Sequence, residues 1–337
     1  MTKVIEVTAK SSAYIGVVRD LLNELLPQKR VIVISDSNID RTHHNLVLPY
    51  DHIFIGQGEQ AKSLTTLDEI YRKLIELGAD RSTFILGIGG GIVTDIAGFV
   101  AATYMRGVEF GFITTTLLGA VDASLGGKNG VNIGGFKNMV GTFSQPKFVI
   151  CDVSLLHTLP AREFRAGLAE VIKTAILGDK ELFEILERTS FEQLRQNDEL
   201  LQEVIARSMQ VKASVVSEDE CESGRRRILN LGHTIAHAIE KCTHKYSHGE
   251  AVAIGLHQIT RYALEQGIIP STDAERILAL LERYGFETEL PIERRQLLEA
   301  IKGDKKRKGN SLHVIIPTAI GDVEDRLVPL EELDSIL

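Results

Sequence analysis

The sequence has no tryptophan, only three cysteines and fewer basic than acidic residues. Its 38 lysines and arginines face 46 aspartates and glutamates, which leaves a formal net charge of −8. Such a chain lacks the excess positive charge with which most nucleic-acid binders neutralise phosphates. Its negative charge also disfavours adhesion to an anionic membrane surface. The composition therefore predicts neither a nucleic-acid partner nor a membrane partner.

The three cysteines, Cys151, Cys221 and Cys242, lie far apart and outside any CxxC spacing. An odd number of widely spaced cysteines argues against a disulfide framework and favours a reducing compartment. No run of about 18 apolar residues occurs, so no membrane-spanning segment is predicted. The N-terminal stretch lacks the apolar core of a signal peptide. We therefore expect a cytoplasmic protein.

The length of 337 residues suggests two domains on the usual domain-size scale. Up to about residue 152, short β-rich runs alternate with helical stretches, which is typical of an α/β domain with a mainly parallel sheet. Beyond Pro160 long helical stretches dominate, with one late extended segment at 312–317. We therefore predict an α/β domain over 1–155 and an all-helical domain over 156–337, packed with a cleft between them.

Two sets of segments carry this prediction. The β-rich runs are KVIEV, VIVIS, HIFIG, TFILGIG, FGFIT and KFVICD. The helical stretches cover 61–78, 161–177, 191–216, 229–243, 249–267, 272–285 and 291–302. In the first helical stretch, apolar residues recur at helical spacing up to Gly78, a residue type common at helix C-termini.

A glycine-rich turn joins a buried-strand pattern to an apolar helix in TFILGIGGGIVTDIAGFVAATYM. The consecutive Gly89, Gly90 and Gly91 would let the backbone approach phosphate oxygens, and a helix start supplies free N–H groups and the positive end of the dipole. The spacing is not GxGxxG, because Ile92 occupies the third glycine position. The turn is either a pyrophosphate site or a tight strand-to-helix junction.

Asp36 ends the early strand pattern VIVISD. At this place an acidic side chain can accept hydrogen bonds from a ribose 2′-OH and so select NAD over NADP. An aspartate before a helix can equally act as its N-cap. Taken alone, the residue fits both interpretations.

Half of the ten histidines lie between residues 233 and 257. His233 and His237 are four residues apart, which places them on one helix face, and His248 begins the next helical stretch. Glu170 lies in a mainly apolar helix, where an unpaired carboxylate is costly to bury. One glutamate and two histidines with an open position form a catalytic zinc arrangement. The spacing leaves open whether His237 or His248 completes it, and each histidine also fits an ordinary hydrogen-bonded role.

Five cations lie among glycines and apolar residues: Lys128, Lys137, Lys173, Lys212 and Arg226. Each of them could be a surface side chain whose aliphatic stem packs on apolar groups. Together they favour a small polyanionic ligand that carries carboxylate or phosphate groups. The segment DKKRK at 304–308 adds either a further cation or a solvated turn.

Seven stretches occur in order along most of the chain. They are GEQAKS (58–63), GGGIVTDIAGFVAATYMRG (89–107), TTLLGAVDASLGGKNGVN (115–132), KNMVGTF (137–143), AEVIK (169–173), RRILNLGHTIAHAIE (226–240) and HGEAVAIG (248–255). In these stretches the chain resembles the 3-dehydroquinate synthases of the sugar phosphate cyclase superfamily. Asn129, Phe136 and Ser247 depart from common family residues, and they bear mainly on which cyclase this is.

The resemblance implies an N-terminal NAD-binding α/β domain, a C-terminal helical domain that binds metal and substrate, and a homodimer. It implies conversion of 3-deoxy-D-arabino-heptulosonate 7-phosphate into 3-dehydroquinate and phosphate, the second step of the shikimate pathway. The implied steps are transient oxidation by NAD, phosphate elimination, re-reduction and intramolecular aldol closure. The alternatives are a sister cyclase of the 2-deoxy-scyllo-inosose or epi-valiolone type, a metal- and NAD-dependent polyol dehydrogenase, and a catalytically silent NAD- or metal-binding protein.

The resemblance also implies roles for individual residues. Zinc, with cobalt as the alternative, would be held by Glu170, His233 and His248. NAD would be contacted by Asp36, Glu59, Lys62, Gly90, Gly91, Ile92, Asp95, Thr115, Thr116, Asp122, Lys128, Lys137, Leu155 and Thr158. Substrate and catalytic contacts would come from Lys128, Lys137, Asn138, Lys173, Lys212, Arg226, Asn230 and His237, with Arg106 directed to the partner subunit and either Lys305 or Lys306 to phosphate.

Overall fold

The computed structural model describes residues 2–134, 136–302, 307–308 and 310–337. The chain divides into two compact units, of which the first comprises Met1–Phe164 with Lys212–Cys221 and the second Arg165–Val211 with Glu222–Leu337. The division therefore differs from a single boundary at 155, because a segment from the middle of the chain returns to the first unit. Of the helices described, none combines the length and the apolar character needed to cross a bilayer.

A seven-stranded sheet organises the first unit. Its strands are β1 (Lys3–Thr8), β2 (Ser11–Ile15), β3 (Val31–Asp36), β4 (Asp51–Ile55), β5 (Phe84–Gly89), β6 (Phe110–Thr114) and β9 (Phe148–Cys151), and β7 (Lys128–Ile133) and β8 (Phe136–Phe143) form a separate hairpin. The order in the sheet is β1-β2-β9-β6-β5-β3-β4, and every neighbouring pair except the β1–β2 hairpin is parallel. The predicted mainly parallel α/β sheet is thus confirmed, and β2 is an unpredicted addition.

Burial on both faces explains why these strands read as continuous apolar runs. Val33, Leu86 and Ile113, from three neighbouring strands, are fully buried in one cluster. The helices of this unit are α1 (Val18–Leu25), α2 (Ser37–Thr42), α3 (Leu64–Glu76) and α4 (Gly91–Thr103). The helix predicted over 61–78 corresponds to α3, and the chain leaves it through Gly78 in the left-handed region, with φ +68°.

The hairpin β7–β8 was not predicted, because its glycines and polar residues hide the strand pattern. Its inner face carries Val131, which is fully buried, and the buried Asn129. The Asn129 amide donates to the carbonyls of Gly127 (2.9 Å) and Ser144 (3.0 Å), which ties the two ends of the hairpin together. Its Oδ1 lies where a side chain on Gly98 of α4 would be. The departure at Asn129 is therefore accommodated by a glycine.

Helices dominate the second half of the chain. They are α5 (Ala161–Gly178), α6 (Lys180–Arg188), α7 (Phe191–Gln196), α8 (Asp198–Glu218), α9 (His233–Cys242), α10 (His248–Glu265), α11 (Ser271–Arg283) and α12 (Arg294–Lys302). The helical C-terminal region is confirmed, although α6 was missed and the stretch predicted over 191–216 is divided into α7 and α8.

A small antiparallel sheet completes this half. The strands β10 (Arg307–Lys308), β11 (Ser311–Ala319) and β12 (Asp322–Pro329) lie in that order. The extended segment predicted at 312–317 is its central strand, so the region is not entirely helical. The flanking strands were missed because β12 is rich in charged residues and is exposed over much of its length.

Candidate functional site

Glu170, His233 and His248 come together in the second unit. One ligand atom of each lies within 4.8 Å of the other two. His248 Nε2 is 3.2 Å and His233 Nε2 is 3.6 Å from Glu170 Oε1. The helices place them, since Glu170 lies in the middle of α5 while the histidines are the first residues of α9 and α10. A carboxylate with two imidazoles suits a catalytic zinc ion, which needs a further position for water or substrate.

Glu170 is fully buried, and Lys173 neutralises its charge. Lys173 lies one helical turn after it on α5, is 1% exposed, and places its Nζ 2.5 Å from Glu170 Oε2. A buried carboxylate is tolerated only with a close partner of opposite charge. In the described structure Lys173 is therefore the ion-pair partner of a candidate metal ligand.

The structure separates His237 from the three-residue cluster. His237 lies one turn after His233 on α9, and the two rings are edge-on with their centroids 5.4 Å apart. The helical spacing thus brings His237 beside the cluster, but the ligand atoms that converge are those of His233, His248 and Glu170. Among the described residues, His248 therefore fits the third ligand position better than His237 does.

The two histidines of the cluster have opposite pKa shifts. Burial lowers the pKa of His233 to about 3, because an imidazolium would lose its hydration. Metal ligation requires this neutral form. Burial also acts to lower the pKa of His248, but hydrogen bonds to the carboxylates of Glu170 and Glu240 outweigh it and raise the pKa. A metal ion at this position would displace the proton of His248.

A short turn in the second unit, Arg225–Asn230, carries two of the implied substrate residues. Arg226 is 1% exposed, and the amide of Asn230 donates to Glu222 Oε1 (2.9 Å) and to the Arg227 carbonyl (3.1 Å). Arg227 Nε donates to Asp325 Oδ2 at 2.9 Å, which fastens the turn to β12. These contacts hold the turn in place, and no pattern in the sequence predicts the contact with Asp325.

In the first unit, α4 begins at the glycine-rich turn. A Cβ on Gly90 would lie 2.9 Å from Thr116 Cγ2, and one on Gly91 would lie 2.9 Å from the Ala123 Cβ. Only glycine fits these two positions, so the tight junction considered for this turn is present. The same lack of side chains leaves backbone N–H groups at the start of a thirteen-residue helix, and the first N–H groups of a helix have no partner within it. The turn therefore suits a pyrophosphate as well.

Asp36 caps α2, as one of its two interpretations predicted. Its Oδ1 accepts hydrogen bonds from the backbone N–H groups of Asn38 (2.8 Å) and Ile39 (3.2 Å). A carboxylate has two oxygens and about four acceptor sites, so capping leaves a ribose contact chemically compatible. The aspartate lies at the carboxyl end of β3, next to the end of β5 that leads into the glycine-rich turn.

Asn132, at the end of the GGKNGVN motif, forms hydrogen bonds with three residues to which the resemblance assigns cofactor or substrate contacts. Its amide donates to Glu59 Oε1 (2.8 Å), its backbone N–H donates to the Lys62 carbonyl (2.8 Å), and its Oδ1 accepts from the Asn138 N–H (2.9 Å). The buried Lys62 in turn forms an ion pair with Asp95. Burial raises the pKa of the Asp95 carboxyl, and the Lys62 ammonium opposes that shift.

Family models cover most of the chain. The model described as 3-dehydroquinate synthase N-terminal matches residues 52–166, and the one described as 3-dehydroquinate synthase C-terminal matches residues 167–307. A 3-dehydroquinate synthase of Prochlorococcus marinus (strain AS9601) is 42% identical over 342 residues, which cover 96% of this chain and 94% of that protein. The chain belongs to the 3-dehydroquinate synthase family.

Solved structures of sister cyclases share this fold. A 2-deoxy-scyllo-inosose synthase complexed with carbaglucose-6-phosphate, NAD+ and Co2+ has a TM-score of 0.88 at 26% identity, covering 100% of this chain and 99% of that one. A 2-epi-5-epi-valiolone synthase from Streptomyces hygroscopicus subsp. jinggangensis 5008, with NAD+ and Zn2+ bound, has a TM-score of 0.86 at 26% identity, covering 96% and 94%. Identity is therefore higher to the 3-dehydroquinate synthase than to these two cyclases.

Other family positions fall into four groups. Lys212 donates to Asp122 Oδ1 and to its carbonyl, both at 2.6 Å, so two implied residues form one ion pair. Buried positions are Thr115 and Leu155; exposed positions are Lys128, Lys137, Arg106 and Thr158. Lys305 and Lys306 lie outside the described residues.

Three residues that organise the site were missed in the sequence. Asn132 and Glu240 lie inside family-like motifs, and Glu222 lies four residues before Arg226. Glu222 adopts a left-handed backbone, with φ +57°, and such strain in a non-glycine residue often marks a functional region. For Asn132 and Glu240, the one sequence feature that could have identified them is that each is a polar residue inside a family motif. Their contacts come from segments that are distant in the chain or follow a turn, and local spacing does not predict them.

Proposed function

We propose that this member of the family converts 3-deoxy-D-arabino-heptulosonate 7-phosphate into 3-dehydroquinate and phosphate, as an NAD- and metal-dependent lyase of the shikimate pathway. The observation that carries the proposal is the cluster of Glu170, His233 and His248, whose donor atoms suit zinc or cobalt. Identity of 42% to a 3-dehydroquinate synthase, against 26% to two sister cyclases, favours this substrate.

The cofactor groups would be held by distinct sets of residues. When bound, NAD+ accepts a hydride from the substrate carbon that bears a hydroxyl group and later returns it, while the divalent metal acts as a Lewis acid. Glu170, His233 and His248 would hold the metal. The N–H groups that follow Gly90 would bind the pyrophosphate, and Asp36 would accept hydrogen bonds from a ribose.

The cations of the chain would bind the two anionic groups of the substrate. A sugar-acid phosphate carries a carboxylate and a phosphate, and the five cations named above supply the opposite charge. Cations that contact a departing phosphate stabilise the charge that develops on it, and holding both anionic groups fixes one reactive pose. The substrate's own phosphate can accept the proton that is removed, which explains the shortage of carboxylate bases among the implied residues.

His237 would hold or transfer a proton at the substrate. An imidazole can donate or accept a proton near neutral pH. The helix α9 carries His237 one turn after the metal-ligand candidate His233, and the ring is partly buried beside it. This position supports a role next to the metal rather than on it.

The decisive experiment follows phosphate and NADH together. We expect the zinc-loaded protein with NAD+ to release phosphate in step with substrate consumption, while the absorbance of NADH does not rise, because each hydride removed is returned. A chelator should stop phosphate release. Stoichiometric NADH would instead indicate a polyol dehydrogenase. Faster phosphate release from glucose 6-phosphate, or from a seven-carbon sugar phosphate that lacks the carboxylate, would indicate a sister cyclase.

We also propose a homodimer in which Arg106 acts in the partner's site. Arg106 is exposed, and both it (φ +71°) and Met105 (φ +49°) adopt left-handed backbone before Gly107. Two consecutive strained residues point to a constrained position for this side chain.

Mixing two inactive variants tests the shared site. Arg106→Ala and His237→Ala should each have very low activity, but refolding them together should restore about a quarter of wild-type activity, since half of the dimers are mixed and each has one intact site. The size of the protein in solution checks the dimer itself. Mixed dimers with no restored activity would show that Arg106 acts within its own subunit.

A cytoplasmic location completes the proposal. Its support is that Cys151, Cys221 and Cys242 are free thiols, of which the last two are exposed, as is usual in a reducing compartment. Fractionation of cells that express the protein would test this location.

A further inference from the structure

The two histidines of the metal cluster present the same ring nitrogen to Glu170. Nε2 of His248 and Nε2 of His233 lie 3.2 Å and 3.6 Å from Glu170 Oε1. The two rings are at an angle of 63°, with centroids 5.2 Å apart. The nitrogens that face the common point are therefore both Nε2.

The opposite nitrogen of each ring faces an oxygen acceptor. His233 Nδ1 is 3.0 Å from the carbonyl of Leu231, two residues earlier in the chain. His248 Nδ1 is 3.4 Å from Glu240 Oε1. Since a carbonyl and a carboxylate can only accept, each contact favours the tautomer with hydrogen on Nδ1 and a lone pair on Nε2.

The two acceptors are provided in different ways. The backbone carbonyl that faces His233 is available whatever the side chain of Leu231 is. Glu240, in contrast, is a 7% exposed side chain on α9. It follows His233 by seven residues, which is about two helical turns and places both on the same face. One helix thus supplies a ligand and the carboxylate that contacts the ligand at the start of the next helix.

We propose that Glu240 is a positioning residue for the metal site, which holds the ring of His248 with Nε2 toward the metal and thereby raises metal affinity. The inference rests on the proposed function, because it assumes that the cluster binds a divalent ion. A carboxylate behind a metal-bound histidine fixes its tautomer and orientation and increases its basicity. Glu240 matches this arrangement in chemistry and in place.

Zinc affinity of Glu240 variants tests the proposal. Competition with a chromophoric chelator should show a loss of roughly 10–100-fold for Glu240→Ala, the range seen for such outer carboxylates. Glu240→Gln should lose less, because its amide oxygen can still accept from Nδ1–H. Glu265→Gln is the matched control, since Glu265 is an exposed carboxylate on α10 paired with Arg261, and it should bind zinc as the wild type does.

Two spectroscopic readouts separate positioning from general damage to the fold. In ¹⁵N NMR of the zinc form, His248 should be the Nδ1–H tautomer in the wild type and lose that preference in Glu240→Ala. The visible spectrum of the Co2+ form should change in the same variant and recover in Glu240→Gln. Unchanged zinc affinity and tautomer in a folded Glu240→Ala protein would overturn the inference, and so would a loss of zinc affinity in Glu240→Gln as large as that in Glu240→Ala. Failure of the wild type itself to bind zinc would instead overturn the proposed function.

Discussion

Purified His248→Ala and His233→Ala proteins are expected to contain almost no zinc, whereas His237→Ala should retain a full complement. The first two substitutions remove one of three converging ligand atoms, and the loss of affinity should exceed the roughly 10–100-fold effect of an outer-sphere change. His237 faces His233 edge-on from the next turn and contributes no atom to the cluster. The metal content of dialysed protein measures the difference.

The catalytic activities of the same three variants should not follow their metal contents. All three should turn over slowly, since loss of the metal removes several kcal/mol of transition-state stabilisation, or about 10³-fold in rate, and His237 is proposed to act on the substrate proton. Added zinc should restore none of the lost activity in His237→Ala, because its metal is already in place. Equal metal loss in His237→Ala and His248→Ala would show that the ligand set has been assigned incorrectly.

The parts of the fold that were predicted are those in which the residue pattern of a short segment directly reflects how that segment is buried. The strand β3 is a run of five buried residues between two parallel neighbours, and its sequence VIVIS is apolar throughout apart from one serine. The helix α3 shows its buried face at helical spacing. In contrast, β7 and β8 carry glycines, lysines and asparagines, because the outer face of the hairpin is not covered. A local pattern of that kind resembles a loop.

The candidate site also contains features that a local sequence pattern does not predict. Spacing indicated that His233 has a neighbour on its own helix, yet the third member of the cluster is His248, which begins a different helix. Asp36 was compatible with capping and with ribose binding, and the cap is visible in its contacts with Asn38 and Ile39. The role of Lys173 changed most, since a residue considered for the substrate also neutralises Glu170. Such pairings depend on the packed geometry and cannot be obtained from composition.

Lys173→Met should destabilise the metal-free protein strongly. The substitution leaves the fully buried carboxylate of Glu170 without the ammonium that lies 2.5 Å away, and breaking a buried pair in this way costs about 3–5 kcal/mol. Urea unfolding in the presence of a chelator measures the loss. Lys180→Met is the matched control, because Lys180 is exposed at the start of α6 and a surface substitution usually changes stability by no more than about 0.5 kcal/mol.

Two further measurements establish that charge is the cause. The double variant Glu170→Gln/Lys173→Met should be more stable than Lys173→Met alone in the metal-free form, because the buried carboxylate charge is removed together with the ammonium that balances it. Zinc should stabilise Lys173→Met more than it stabilises the wild type, since a divalent ion beside Glu170 replaces the missing positive charge. Equal losses in the single and double variants, unaffected by zinc, would mean that Lys173 stabilises α5 by packing and that Glu170 is neutralised by other groups.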